Sequence, residues 1–417
     1  MRALYTLLLY LLTPLILLRL AWRGLALREY WSRWGERFGH LRPSAPVAAW
    51  VHAVSVGEAL AALPLIRALV EQHGEGRVLV TTTTPTGSAR VRDALGDRVQ
   101  HVYAPYDLPH VVARFLNRVR PARVIVMETE LWPNLYAALA RRGTPLFIVN
   151  ARLSPNSFRG YRRVAGFARD TLACCTAVLA QSEEDAGRFL ALGAPNVENT
   201  GNIKFDLDLP ESQLRFGAQL RERLGAGRFT WAAVSTHDGE EAAAVAAHRH
   251  LMRKHPDALL LLVPRHPQRF GEAGQAVTAA GLSLLRRSSL DDADDAPLHA
   301  EVLLGDSMGE MFAYLATADA VFVGGSLVPV GGHNVLEPAA LGRPVLFGPQ
   351  MFNFVEAREL LLAAGAAVEV DGTEALADAI TELAGDPDRR SRIGEAGRQA
   401  VTANRGALQR ILDRVAG

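Results

Sequence analysis

Glu58 closes the stretch HAVSVGE (residues 52–58), where an apolar run gives way to small residues and a helix begins. A carboxylate in the first turn of a helix is stabilised by the helix dipole, which by itself lowers its pKa. Two readings follow: a glutamate that caps the helix, or a general base at the mouth of a cleft. Spacing alone leaves both open. METELWPN (127–134) sets Glu128 and Glu130 two residues apart at the end of another apolar run, hence on one face of a strand. Paired acids leaving a buried strand are costly unless cations or function hold them there. Arg152, in NARLS (150–154), is the expected partner. TTTTPTGS (81–88) offers hydroxyls and main-chain N–H groups at a helix start, suited equally to an anion, a sugar or ordinary capping.

A different chemistry gathers after residue 260. LVPRHPQRF (262–270) places Pro264, Arg265 and His266 directly behind an apolar run. The guanidinium fork of such an arginine suits bidentate contact with a phosphate. GDSMGEM (305–311) and GGSLVPVGGHNVLEP (324–338) are glycine-rich turns that feed helices. Glycines let the main chain approach a ligand closely, and helix starts supply N–H donors to phosphate. Glu337, about a turn inside its helix, is placed to accept hydrogen bonds from ribose hydroxyls. Three such segments in one half of the chain, each after a strand, predict a nucleotide site. Neither half carries GxGxxG, so a dinucleotide redox cofactor has no support. The acidic run Asp291, Asp292, Asp294 and Asp295 reads as a solvated loop rather than a metal site.

These groups need a frame, and the hydropathy pattern supplies one. Short apolar, β-branched runs at 49–56, 77–84, 123–130, 145–151 and 177–182 alternate with helical stretches. The rhythm breaks near 204–210 and restarts at 230–236, 258–264, 301–305, 320–325, 343–348 and 366–370. Runs apolar on both faces, separated by helices, predict parallel sheets covered on both sides. Ligands of such sheets gather at the carboxyl ends of the strands. The chain length of 417 residues allows two to three domains. The division expected is an anchor and interfacial segment over 1–40, a first Rossmann-like domain over 41–205 and a second over 206–417. Lys plus Arg number 45 and Asp plus Glu 44, a balance without the basic surplus of a nucleic-acid binder. Cys174 and Cys175 are the only cysteines, which excludes a disulfide framework or a four-cysteine zinc site and fits a reducing compartment.

Residues 3–18 read ALYTLLLYLLTPLILL, and extension to Trp22 reaches about 20 positions, the minimum for crossing ~30 Å of hydrocarbon. Arg19, Arg23, Arg28, Arg33 and Arg37 follow, interleaved with Trp22, Tyr30, Trp31 and Trp34. Bulky aromatics where a cleavage site would lie argue for retention rather than removal as a signal peptide. The basic flank predicts a cytoplasmic location for the rest of the chain, and the aromatic cluster suits the headgroup layer.

In this order, HAVSVGE, TTTTPTGS, YAPYDLP, METELWPN, NARLS, GNIKFD, PRHPQRF, GDSMGEM and GGHNVLEP resemble the Kdo transferase family of lipid A assembly in Gram-negative bacteria. The similarity runs nearly end to end and includes the apolar N-terminus and WSRWGERFG. It implies an α/β enzyme of GT-B architecture, with two Rossmann-like halves facing a cleft and an N-terminal membrane-anchor helix. It further implies an inverting glycosyltransferase that uses the CMP-activated sugar acid Kdo as donor. The tetraacyl lipid A precursor is the implied acceptor, at the cytoplasmic side of the inner membrane, with no cofactor and no catalytic metal. On the matching positions, Glu58 corresponds to the proton acceptor. Pro264 with Arg265, then Met308, Gly309 and Glu310, then Asn334, Val335, Leu336 and Glu337 correspond to three CMP-contacting segments. Lys204 in GNIKFD, with Glu128 and Glu130, falls on motifs lining the reaction centre. Another membrane-associated GT-B enzyme using a UDP-sugar is the alternative.

Overall fold

The computed structural model describes residues 1–41, 45–290 and 296–416; the acidic run at 291–295 lies outside the described residues. The chain divides into two compact units, one of Met1–Asp206 with Arg405–Gly417, the other of Leu207–Asn404.

The first unit is built on seven parallel strands: β1 (Ala49–His52), β2 (Val78–Thr82), β3 (Gln100–Tyr103), β4 (Val124–Met127), β5 (Leu146–Ala151), β6 (Ala177–Ala180) and β7 (Val197–Asn199). Their order across the sheet is β3-β2-β1-β4-β5-β6-β7. Side chains alternate between the two faces, so Trp50, Val124 and Val126 pack with Phe115 and Tyr136 on one side. Ala49, Val51 and Ile125 pack with Leu65 and Ile66 on the other. Each fully buried valine, leucine, isoleucine or phenylalanine among them contributes about 1.5–3 kcal/mol relative to exposure. Chain order reverses at β1, which pairs with β2 on one side and β4 on the other. The carboxyl ends of β1 and β4 therefore flank a topological switch point, where open α/β sheets bind ligands.

The second unit repeats this plan with β8 (Thr230–Thr236), β9 (Leu259–Pro264), β10 (Leu284–Arg286), β11 (Val302–Leu304), β12 (Ala320–Val323), β13 (Val345–Phe347) and β14 (Ala367–Glu369). The order is β10-β11-β9-β8-β12-β13-β14, and its switch point lies between β8 and β12.

Two sequence expectations need correction. The final helix, Ala407–Ala416, does not belong with Leu207–Asn404, as the division 206–417 has it: Ile411 and Val415, four apart on one helix face, pack into the core of the first unit. The strands at 49–56 and 123–130 are shorter than expected, ending at His52 and Met127, because the chain turns where small or acidic residues begin.

The helix Arg2–Ala26 is long and apolar enough to cross a membrane. Only 6% of its most apolar window is buried, which rules out a core helix. Its first half is nevertheless tied to the first unit. Tyr5 Oη donates to Asp107 (3.0 Å), Thr6 Oγ1 donates to Asn134 (3.0 Å), and Tyr10 Oη lies 2.7 Å from His110 Nδ1.

Candidate active site

At the end of β1 the chain enters the helix Val56–His73 through Ser55, whose hydroxyl accepts the Glu58 N–H (3.2 Å). The Glu58 carboxylate in turn accepts the Val54 N–H (2.8 Å). This reciprocal closure is a capping box displaced by one residue, so the capping reading of Glu58 is realised. It does not make the residue ordinary. Glu58 is 9% exposed, and burial pushes its pKa above the usual carboxylate range despite the hydrogen bonds that its carboxylate makes with the Val54 N–H and the Ser55 side chain. The charges of Glu128 and Glu130 push it the same way, which places three acids in electrostatic contact at the β1/β4 switch point.

Glu128 follows the last residue of β4 with φ +56°, a left-handed backbone that turns the chain out of the sheet. The expectation that Glu128 and Glu130 share one strand face therefore fails, because the strand has ended. Glu130 accepts the Trp132 indole N–H (2.9 Å), and burial, with Glu128 beside it, raises its pKa. The cation that meets these acids is Lys204, with Nζ 3.9 Å from Glu128 Oε1. Arg152, the expected partner, is exposed and forms no ion pair with either acid among the described residues.

Lys204 is delivered by a short 3-10 turn, Ile203–Phe205. The Asn202 side chain accepts the Lys204 N–H, and Asn150 Oδ1 accepts the Ile203 N–H, both at 3.0 Å. Asn150 is fully buried, sits at a register irregularity of β5 and has φ +50°. A left-handed non-glycine residue in a sheet is strained and persists only where its surroundings hold it. Sequence reading passed over Asn150 in favour of Arg152 in the same motif. The hydroxyls of 81–88 serve the frame: Thr84 caps the helix Pro85–Leu95, Thr81 meets Trp50 and His52, and Thr83 donates to the Val54 carbonyl (2.9 Å).

In the second unit the loop after β12 closes around a single carboxylate. Glu240, 1% exposed, accepts N–H groups from Gly325 (2.7 Å), Ser326 (3.0 Å), Leu327 (2.9 Å) and His237 (2.9 Å). The far end of that loop returns to the same place, with His333 Nε2 2.8 Å from His237 Nε2 and the rings parallel within 3°. Burial lowers both imidazoles, His333 to about 4, so near neutral pH one donates and the other accepts. His266 stands edge-on to His237. Gly324 has no room for a side chain, since a Cβ there would lie 2.7 Å from the Ser235 carbonyl oxygen. Glu240, His237 and His333 were also missed from sequence; the signal was THDGEE (236–241) behind the strand β8.

Pro264 ends β9, and the Arg265 N–H donates to Thr236 O (3.0 Å), which sets Arg265 beside the histidines. Asn334 donates to Glu337 Oε1 (3.0 Å) and accepts the Leu336 N–H (3.1 Å), while burial raises the Glu337 pKa. Val335 and Leu336 are buried, so their side chains serve the core and only their main chain is available to a ligand. Met308 is exposed, Gly309 has φ +84°, and Glu310 is paired with Arg287 (2.8 Å). Arg265, the 308–310 turn and the 334–337 segment thus follow β9, β11 and β12 of one sheet.

Residues 32–207 match the family model described as 3-deoxy-D-manno-octulosonic-acid transferase (kdotransferase). The chain is 40% identical to the 3-deoxy-D-manno-octulosonic acid transferase of Haemophilus influenzae, over 99% of this chain and 97% of that protein. It is 42% identical to the enzyme of the same name from Bordetella pertussis, over 99% and 98%. Among solved structures, UDP-GlcNAc 2-epimerase from Neisseria meningitidis shares the fold, with a TM-score of 0.56 at 15% identity over 88% of this chain and 99% of that one. The chain belongs to the 3-deoxy-D-manno-octulosonic acid (Kdo) transferase family and is a glycosyltransferase on the GT-B fold.

Proposed function

We propose that the enzyme transfers Kdo from CMP-Kdo to the 6′-hydroxyl of the tetraacyl lipid A precursor, with inversion, at the cytoplasmic face of the inner membrane. The acceptor oxygen attacks C2 of Kdo as the bond from C2 to the phosphate oxygen breaks, and CMP departs with the electron pair. Glu58 takes the proton of the attacking hydroxyl. One observation carries this reading: a carboxylate at the switch point, buried, held by one main-chain N–H and raised in pKa, is tuned toward proton transfer. Lys204 and Glu128 form a neutral pair beside it that orients the reacting sugars without adding net charge.

Arg265, with the N–H groups of nearby turns, receives the phosphate as charge develops on it. A leaving group already activated as a phosphoester and received by fixed positive groups does not call for a metal at that step. Glu337, Asn334 and the 308–310 turn hold the nucleoside. The exposed apolar helix keeps the enzyme on the surface where a lipid acceptor resides, which raises the effective concentration of one for the other. Mass spectrometry of the product from CMP-Kdo and the tetraacyl disaccharide tests the reading. Addition of one or more Kdo units supports it; an unmodified acceptor with intact donor refutes it.

A further inference from the structure

We propose that the cavity beneath the start of the N-terminal helix seats the phosphate headgroup of an anionic membrane phospholipid. This rests on the membrane attachment proposed above and adds to it a specific lipid contact. The cavity has a volume of about 840 Å³ and lies between Arg2–Thr6, the helix Pro133–Arg141 and the helix Ala165–Leu172. That volume falls within the ~300–1,000 Å³ of ordinary small-molecule sites.

Its charge is one-sided. Arg2, Arg141 and Arg142 line it, against the single carboxylate of Asp170. Among the described residues none of these arginines forms an ion pair with an acid, and the Arg142 guanidinium makes only a hydrogen bond to Asn117 (2.6 Å). Arg2 and Arg141 both act electrostatically on the Cys174 thiol in the cavity wall, which places two of the guanidiniums around the same space. The remaining wall is apolar, formed by Ala137, Ala138 and Phe167 among others. Clustered guanidiniums beside apolar surface match a phosphodiester at the boundary of hydrocarbon.

The helix above the cavity says where that boundary runs. Tyr5, Thr6 and Tyr10 bind the body of the first unit, while Leu4, Leu7, Leu8, Leu11, Leu12, Leu15 and Leu18 remain exposed. A helix that keeps these contacts over its first ten residues cannot carry them through a bilayer. It lies along the surface, apolar side in the lipid, and the arginine-lined cavity opens at the depth of the headgroups.

Flotation of the full-length protein with vesicles of phosphatidylcholine, with and without phosphatidylglycerol, provides the test. Wild type is expected to favour phosphatidylglycerol vesicles. Arg141→Ala/Arg142→Ala is expected to lose roughly tenfold or more of that preference while binding pure phosphatidylcholine as before. Arg389→Ala/Arg398→Ala, an equal loss of charge on the other unit, is expected to keep it. Phosphatidylglycerol should also slow labelling of Cys174, the less buried of the two thiols. An unchanged preference in the cavity variant, or an equal loss in the control, overturns the proposal. So does a preference that appears only when lipid A precursor replaces phosphatidylglycerol, since the occupant would then be the acceptor. Failure of wild type to bind either vesicle would refute the attachment itself, and is thereby distinguished from failure of the headgroup site.

Discussion

The carboxylate of Glu58 accepts the main-chain N–H of Val54 at 2.8 Å, across the turn that joins β1 to its helix. The bond fixes one carboxylate oxygen in the turn, beside the Ser55 side chain that also hydrogen-bonds the carboxylate. Capping and proton transfer are thus compatible roles for one side chain. The cap supplies the orientation that a general base requires.

Acid inactivation should report the Glu58 environment. As the proposed base Glu58 must be ionised, and burial with two neighbouring acids raises its pKa, so the acid limb of kcat/KM is expected above the ordinary glutamate value of about 4.3. Glu128→Gln removes one of those charges and should move the break downward. The same shift makes the ionised carboxylate a cost to the fold: its contribution to stability is full below the unfolded pKa and is lost as pH rises through the folded one. A break at or below the ordinary value, or an upward move in Glu128→Gln, would contradict this environment.

Arg265→Ala is expected to weaken CMP binding roughly ten- to a hundredfold by calorimetry, the worth of about 1.5–3 kcal/mol for hydrogen bonds to a charged group. Arg265→Lys should recover only part of this, because the fork is lost. Unchanged affinity in the alanine variant would remove Arg265 from the site.

Asn150→Ala removes the acceptor for Ile203 and leaves alanine in a left-handed conformation. Destabilisation of about 1–3 kcal/mol is expected, with a fall in kcat through misplacement of Lys204 and no change in CMP affinity. Asn150→Asp keeps the acceptor and should restore kcat. Equal kcat in the alanine variant and wild type would show that Lys204 does not depend on this bond.

Deletion of residues 1–22 should leave CMP binding intact and depress transfer to acceptor embedded in vesicles. Equal rates on vesicles would argue against anchoring by this segment.

The central strands were legible because each is buried on both faces and so reads as an unbroken apolar run. Of the edge strands, β14 was read at 366–370 but β3, β7 and β10 were not: β3 (Gln100, His101) and β7 (Glu198, Asn199) carry polar residues at half-exposed or exposed positions. Glu58, Arg265 and the glycine loop were visible because strand ends and turns have local signatures. Partners were not visible in the same way. Lys204 rather than Arg152 meets Glu128 because the order of β4, β5, β6 and β7 in the sheet, and a strained Asn150, bring a distant turn into place. The final helix joined the first unit for a similar reason: its apolar stripe says that it packs, and only the tertiary fold says against what.

Turnover of Glu58→Gln on purified CMP-Kdo and acceptor bears most directly on the central claim. Glutamine still offers an oxygen to the Val54 N–H, so folding and CMP affinity should be retained while kcat falls about a hundred- to ten-thousandfold, the usual worth of a general base. Near-normal turnover would show that the proton goes elsewhere.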